Sequence, residues 1–322
     1  MEKYKVTIPV LLIGFNRPDI IKLNLENLSQ FSISKMYVAV DGPRSHVQGE
    51  DQKVNQVIDL VKKVDFCDEV EYRINEVNKG CEITESSAIA WVLEKEEYVL
   101  VLEDDIIAHE SFFRFMDEML NRYKNDDRIA MVSGCNYTPM EFPDNADYCF
   151  CQSGHIWGWG TWRRVWKDFN LFEEIDSKYL SDSFLIAHSA NKEIAQRRKI
   201  KYTEMKSKGR GNNTWDYMFS YFRVTRGLLS IVPKSHLTSN IGLYGLHAKG
   251  EGKGHNMIID DDFVVKVHPE NVFWFKDYDV YHYENWSNLS SSRIKSAIIS
   301  FLLKVHLYST FKKLRNFFEI IL

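Results

Sequence analysis

Three adjacent carboxylates, Glu103, Asp104 and Asp105, follow the apolar run Tyr98 to Leu102. Like charges this close raise one another's free energy unless a cation or hydrogen-bond donors compensate them. A divalent ion would do so, because Mg²⁺ or Mn²⁺ takes only one or two protein carboxylates and leaves coordination positions for phosphates and water. Held there, the ion would act as a Lewis acid toward a diphosphate leaving group. The alternative is helix capping: a helix starting near Ser111 would bury Phe112, Phe113, Met116 and Leu120, and acids favour helix N-termini. Residues 106–110 separate the triplet from that helix, so capping accounts poorly for all three acids.

The elements that must position the triplet read as a mostly parallel sheet with crossover helices. Val6 to Ile13 is expected as the first strand, ending at Gly14-Phe15-Asn16-Arg17, with Pro18 opening a helix faced by Ile21, Leu25 and Leu28. Met36 to Val40 is expected as the second strand, ending at Asp41-Gly42-Pro43-Arg44. A helix then carries Val54, Val57, Ile58 and Val61. Val70 to Ile74 is the third strand, and Ile83 to Leu93 a further helix. The run Tyr98 to Leu102 has the unbroken apolar character of a strand buried on both faces. Each strand delivers polar residues at its C-terminal end, the edge at which open α/β sheets bind ligands.

Composition sets outer limits. The 322 residues, 44% hydrophobic and 27% charged with a net charge of -4, describe a globular protein without a general nucleic-acid signature. Aromatics at 14%, including eight Trp, suit either a large aromatic core or ring faces for sugar stacking. Five cysteines without a CxxC pair indicate neither a zinc site nor a disulfide framework. The N-terminus enters a strand-like segment without a secretory pattern, so a cytoplasmic location is expected. Residues 293–322 carry six Lys/Arg and one acidic residue. This tail is either a basic amphipathic helix, placing the protein peripherally at the inner face of the plasma membrane, or a helix packed on the core.

The triplet in its strand context resembles the metal motif of GT-A-fold glycosyltransferases, most closely the N-acetylglucosaminyltransferase I group and related bacterial nucleotide-diphospho-sugar transferases. Ile8 to Ile13 with Asn16-Arg17 matches that group's opening strand. Asn78-Lys79-Gly80-Cys81 is similar to an Asn-x-Gly turn of the bacterial relatives, and Trp157 to Trp162 to their Trp/Gly-rich acceptor-side stretch. The resemblance spans roughly residues 6–255 in order. It implies an α/β GT-A fold that transfers a sugar from a nucleotide-diphosphate donor, UDP-sugar favoured, to a hydroxyl of a glycan or lipid-linked glycan, with inversion and with Mn²⁺ or Mg²⁺. Bacterial surface polysaccharide or glycoconjugate synthesis is the implied setting.

By position, the resemblance makes Asp105 the metal ligand and His247 a second, with His255 as the alternative, both on the glycine-rich stretch Leu243 to Gly254 and its edge. Arg17, Asp41 and Asp104 would bind the nucleotide-sugar donor. Trp157, Trp159, Trp162 and Trp215 would lie on the acceptor side, and Asp216 would be the general base. Read without the resemblance, Arg17 is a surface ion pair, Asp41 a turn residue and Asp216 a helix cap. The expected organisation is a catalytic domain over residues 1–285, with a nucleotide-sugar half (1–135) and an acceptor half (136–285), followed by the tail 286–322. A sugar-nucleotide pyrophosphorylase and a non-catalytic carbohydrate-binding protein are the rival classes. The first would require an Arg-bearing glycine-rich loop after the opening strand, which Gly14-Phe15-Asn16-Arg17-Pro18 does not supply.

Overall fold

Pro9 divides the opening apolar run, since a residue without an N–H cannot continue a ladder on both sides. A computed structural model, describing residues 3–209, 214–242 and 257–286, resolves this run into β1 (Lys5–Val6) and β2 (Val10–Gly14). There follow α1 (Pro18–Leu28), β3 (Ser32–Val40), α2 (Glu50–Val61), β4 (Cys67–Ile74), α3 (Cys81–Leu93) and β5 (Tyr98–Glu103). The expected strands and helices of this half are all present, most of them a few residues longer than their apolar runs.

The second half comprises β6 (Ile106–Ala108), α4 (Glu110–Arg122), β7 (Ile129–Ser133), β8 (Tyr148–Cys151), β9 (Trp159–Trp162), α5 (Arg163–Trp166), α6 (Asp182–Ala187) and α7 (Lys192–Lys208). It ends with α8 (Trp215–Thr225), β10 (Leu229–Pro233), β11 (Thr238–Asn240) and α9 (Lys276–Asn285). The main sheet runs β1-β3-β2-β5-β9-β7-β10-β8, with β4 also paired to β3. Pairs among β1 to β5 are parallel, as is β7 with β10, whereas β9 lies antiparallel between β5 and β7. A small antiparallel pair, β6 with β11, sits just beyond the end of β5.

Helices cover both faces of the sheet. Helix α1 packs on α2, the turn that follows it packs Phe31 against Phe113 of α4, and α3 packs on α5 and α8. The architecture is therefore the α/β class read from the sequence, with one antiparallel strand inserted beside β5 that the sequence pattern did not disclose.

That strand buries the tryptophans expected on the acceptor side. All four residues of β9 are buried; Trp159 and Trp162 are each 1% exposed. Strand alternation sends Trp159 against Trp166, Trp215 and Phe219, and Trp162 to the opposite face, where its indole N–H donates to the Leu120 carbonyl. Their rings form core and offer no face to a ligand. Trp215, 3% exposed, belongs to the same core, and of the four only Trp157 is part-exposed. Among the described residues no helix is long and apolar enough to cross a membrane. The tail beyond Trp286 lies outside the described residues.

Candidate active site

Asp104 and Asp105 form the turn between β5 and β6, and its backbone is held from α1 by Asn24. The fully buried Asn24 amide donates to the carbonyls of Glu103 (3.0 Å), Asp104 (3.2 Å) and Ile106 (2.9 Å). With its carbonyls satisfied inward, the turn projects its carboxylates toward the sheet edge. Arg17, in the loop after β2, bridges two of them: Nε donates to Asp104 (3.1 Å), and Nη2 to both Asp104 and Asp105 (2.8 Å to the latter). The residue that the resemblance assigns to donor phosphates thus touches both acids.

One guanidinium does not balance three carboxyls. Burial pushes the Asp104 carboxyl up to about 6, against the opposing effect of Arg17. Glu103 is held well above its ordinary range by burial, then by the charges of Glu85, Asp105 and Asp104. Asp105, 7% exposed, keeps Oδ1 buried with no hydrogen-bond partner among the described residues, an arrangement that costs free energy unless something coordinates the oxygen. A divalent ion fits this donor set: hard oxygens, surplus negative charge and one oxygen without a partner. Among the described residues no three His, Cys, Asp or Glu side chains are grouped to hold a metal.

The segment after β11 closes over the turn. Ile241 N–H donates to the Asp105 carbonyl (2.9 Å), and Gly242 lies so close that a Cβ there would stand 2.0 Å from Asp105 Oδ2. Only glycine permits this approach. The chain that would bring in His247 or His255 therefore departs from Asp105, but both histidines lie outside the described residues.

Asp41 ends β3 and is 4% exposed. Its carboxylate accepts from the backbone N–H groups of Gly42 (2.9 Å), Lys79 (3.0 Å) and Gly80 (3.0 Å) and from the amides of Asn75 (3.0 Å) and Asn78 (2.8 Å). With both oxygens engaged, Asp41 braces the loop between β4 and α3. A second brace joins the loops after β2 and β3: buried Glu50 accepts from the Arg44 guanidinium and backbone N–H and from Asn16 Nδ2.

Arg44 holds the Glu50 carboxyl down at about 2. A depressed carboxyl stabilises the fold above its unfolded pKa, near 4.5, and that stability is lost as pH falls through about 2. Glu50→Gln is expected to cost roughly 1–2 kcal/mol at pH 7. Urea unfolding at pH 7 and at pH 2 measures this; a difference that persists undiminished at the acid end contradicts it.

Asp216 occupies the first turn of α8, half-buried, and among the described residues its carboxylate has no hydrogen-bond partner. Its neighbour Trp215 stacks on Trp159 at 5.5 Å. Between this turn and the acidic triplet stands Glu85 of α3, a residue to which sequence reasoning gave no role. Burial pushes Glu85 up to about 7, while Cys81 and Trp215 hydrogen bonds favour its charged form. The Cys81 thiol donates to it at 2.7 Å. Asp216 and Glu103 both lie close enough to act electrostatically on Glu85 or to feel its charge. The structure thus gathers Arg17, Asp104 and Asp105 at one point, and Glu103, Glu85, Trp215 and Asp216 beside it.

No family model matches the chain, and no curated protein matches it in sequence. Among solved structures, the chain is similar to a mannosyltransferase from Pyrobaculum calidifontis in complex with GDP-Man and Mn²⁺, at 12% identity and TM-score 0.35, covering 70% of each chain. It is also similar to mouse xyloside xylosyltransferase 1 in apo form, at 10% identity and TM-score 0.35, covering 69% of this chain and 84% of that one. A UDP-glucose pyrophosphorylase complexed with UDP-glucose is similar over 50% of this chain and 71% of its own, at 9% identity and TM-score 0.25.

Proposed function

We propose that this protein is a glycosyltransferase of GT-A type that moves a sugar from a nucleotide-diphosphate donor, UDP-sugar favoured, to a hydroxyl of a glycan or lipid-linked glycan with inversion. The observation that carries the reading is the turn Glu103-Asp104-Asp105 at the end of β5, where Asp105 Oδ1 is buried without a partner among the described residues, beside a surplus of carboxyls. Asp105, aided by Asp104, would hold Mn²⁺ or Mg²⁺, which supplies charge neutralisation to the leaving diphosphate when bound. Arg17 contacts both acids and carries a charge suited to donor phosphates. The loop braced by Asp41 offers the nucleotide base a preformed wall.

Asp216 would accept the proton of the acceptor hydroxyl as its oxygen attacks the anomeric carbon from the face opposite the nucleotide. Its half-buried place in the first turn of α8, within electrostatic reach of Glu85, supports that role. In the full chain, UDP with Mn²⁺ is expected to raise the thermal midpoint by several degrees, and neither ligand alone should match the pair. If UDP, GDP and CMP all leave the midpoint unmoved with Mn²⁺ and with Mg²⁺, the donor-site reading is lost.

A further inference from the structure

The inward face of α1 puts Ile21, Leu25 and Leu28 into the core, and Asn24 stands among them, fully buried. An apolar residue is expected at such a position. Asparagine is a weak helix former, and burying its amide costs free energy unless each polar atom is paired. Asn24 Oδ1 is buried without a hydrogen-bond partner among the described residues, a feature that calls for a reason beyond packing. The reason lies at the nitrogen. Nδ2 has two hydrogens, and three carbonyls of the acidic turn share them: Glu103 at 3.0 Å, Asp104 at 3.2 Å and Ile106 at 2.9 Å. The remaining carbonyl, that of Asp105, accepts from Ile241 N–H at 2.9 Å. Farther along α1, Asn27 Oδ1 accepts from Ala108 N–H at 3.2 Å, so the helix also grips the chain beyond the turn. Every carbonyl from residue 103 to 106 is thus turned to a protein donor. The oxygens that face outward are those of the carboxylates, which Arg17 meets from the loop after β2.

We propose that Asn24 is a positioning residue for the acidic turn and sets its choice of ion. By holding the carbonyls toward α1 it leaves a donor set made of carboxylate oxygens. That set suits Mn²⁺ or Mg²⁺, which complete their shells with waters and phosphates, whereas Ca²⁺ gathers about 6–8 oxygens and draws readily on backbone carbonyls. The proposal rests on the reading of this turn as the metal centre of a donor site. Asn24 touches no ligand and acts through the backbone that it holds.

The test compares the full chain with Asn24→Leu, which keeps the size of the side chain and has no donor. In the chelated proteins, amide hydrogen exchange across residues 103–108 is expected to quicken in the variant, with β2 and residues 99–102 unchanged. With UDP present, Mn²⁺ affinity, read from the EPR signal of the free ion, should fall ~10–100-fold, the usual effect of removing a group that orients a metal's ligands. Affinity for Ca²⁺, read by competition against Mn²⁺, should fall by less, so that the preference for Mn²⁺ narrows severalfold.

A merely structural role for Asn24 lowers the thermal midpoint and leaves both affinities of the folded protein where they were. That outcome overturns the proposal, and so does an equal loss of affinity for the two ions. Asn24→Ser, whose hydroxyl keeps one donor, carries the same comparison if Asn24→Leu does not fold, with smaller changes in the same directions expected. If the parent binds neither ion with UDP, the donor-site reading fails, while exchange across residues 103–108 still decides whether Asn24 holds the turn.

Discussion

Asp105→Asn is expected to abolish Mn²⁺-dependent nucleotide binding and to lower turnover by at least ~10³-fold, the scale on which a metal stabilises a leaving diphosphate. The reason lies in the pairing around the turn. Arg17 satisfies one oxygen of Asp105, and the other is buried with nothing among the described residues to accept from. Replacing that oxygen pair with an amide removes a hard anionic ligand while preserving shape. The same change should leave the metal-free protein as stable as the parent or slightly more so, because it relieves repulsion among buried carboxyls and Arg17 retains Asp104. Calorimetry with chelator, and then with Mn²⁺ and UDP, separates these effects. A stable variant without the ligand-induced shift is the expected pattern. A variant that still gains stability from Mn²⁺ and UDP together would remove Asp105 from the metal site.

The sequence made this turn legible because its signals are local: an unbroken apolar strand followed at once by acids. Asn24 was not legible. An asparagine in an amphipathic helix reads as solvated, and its three carbonyl partners lie 79 to 82 residues away. Asp41 was found as a polar strand end, yet its saturation depends on Asn75, Asn78 and the backbone of a later loop, which strand periodicity does not reveal. The burial of the β9 tryptophans was not legible for a related reason. Trp-Gly-Thr-Trp resembles an exposed aromatic platform until β5 and β7 enclose it, and those pairings are not local in sequence. Gly160 confirms the enclosure, since a Cβ there would press against Leu120 at 3.1 Å.

Glu85 escaped notice because α3 turns polar residues inward. Thr84, Glu85 and Ser86 are all buried, so alternation of apolar and polar residues gave no sign of which face met the core. Their partners are local or nearby: Asn75 donates to Thr84, Cys81 to Glu85, and Ser86 to the Glu82 carbonyl.

Asp216→Asn is expected to reduce turnover by ~10²–10⁴-fold, the usual worth of a positioned general base, while Mn²⁺-dependent nucleotide binding stays within about twofold of the parent. A carboxylate in the first turn of a helix also interacts with the helix dipole, so the neutral amide should cost about 0.3–1 kcal/mol of stability. The alternative role, a helix-terminal stabiliser with no part in chemistry, predicts that modest stability loss alone, with turnover falling only as far as the folded fraction does. Single-turnover kinetics at a temperature where both proteins are fully folded distinguish the two. Because Asp105 and Asp216 stand on different elements, β5's end and α8's start, loss of binding with one and loss of chemistry with the other is the outcome that ties the acidic turn to a donor and α8 to an acceptor.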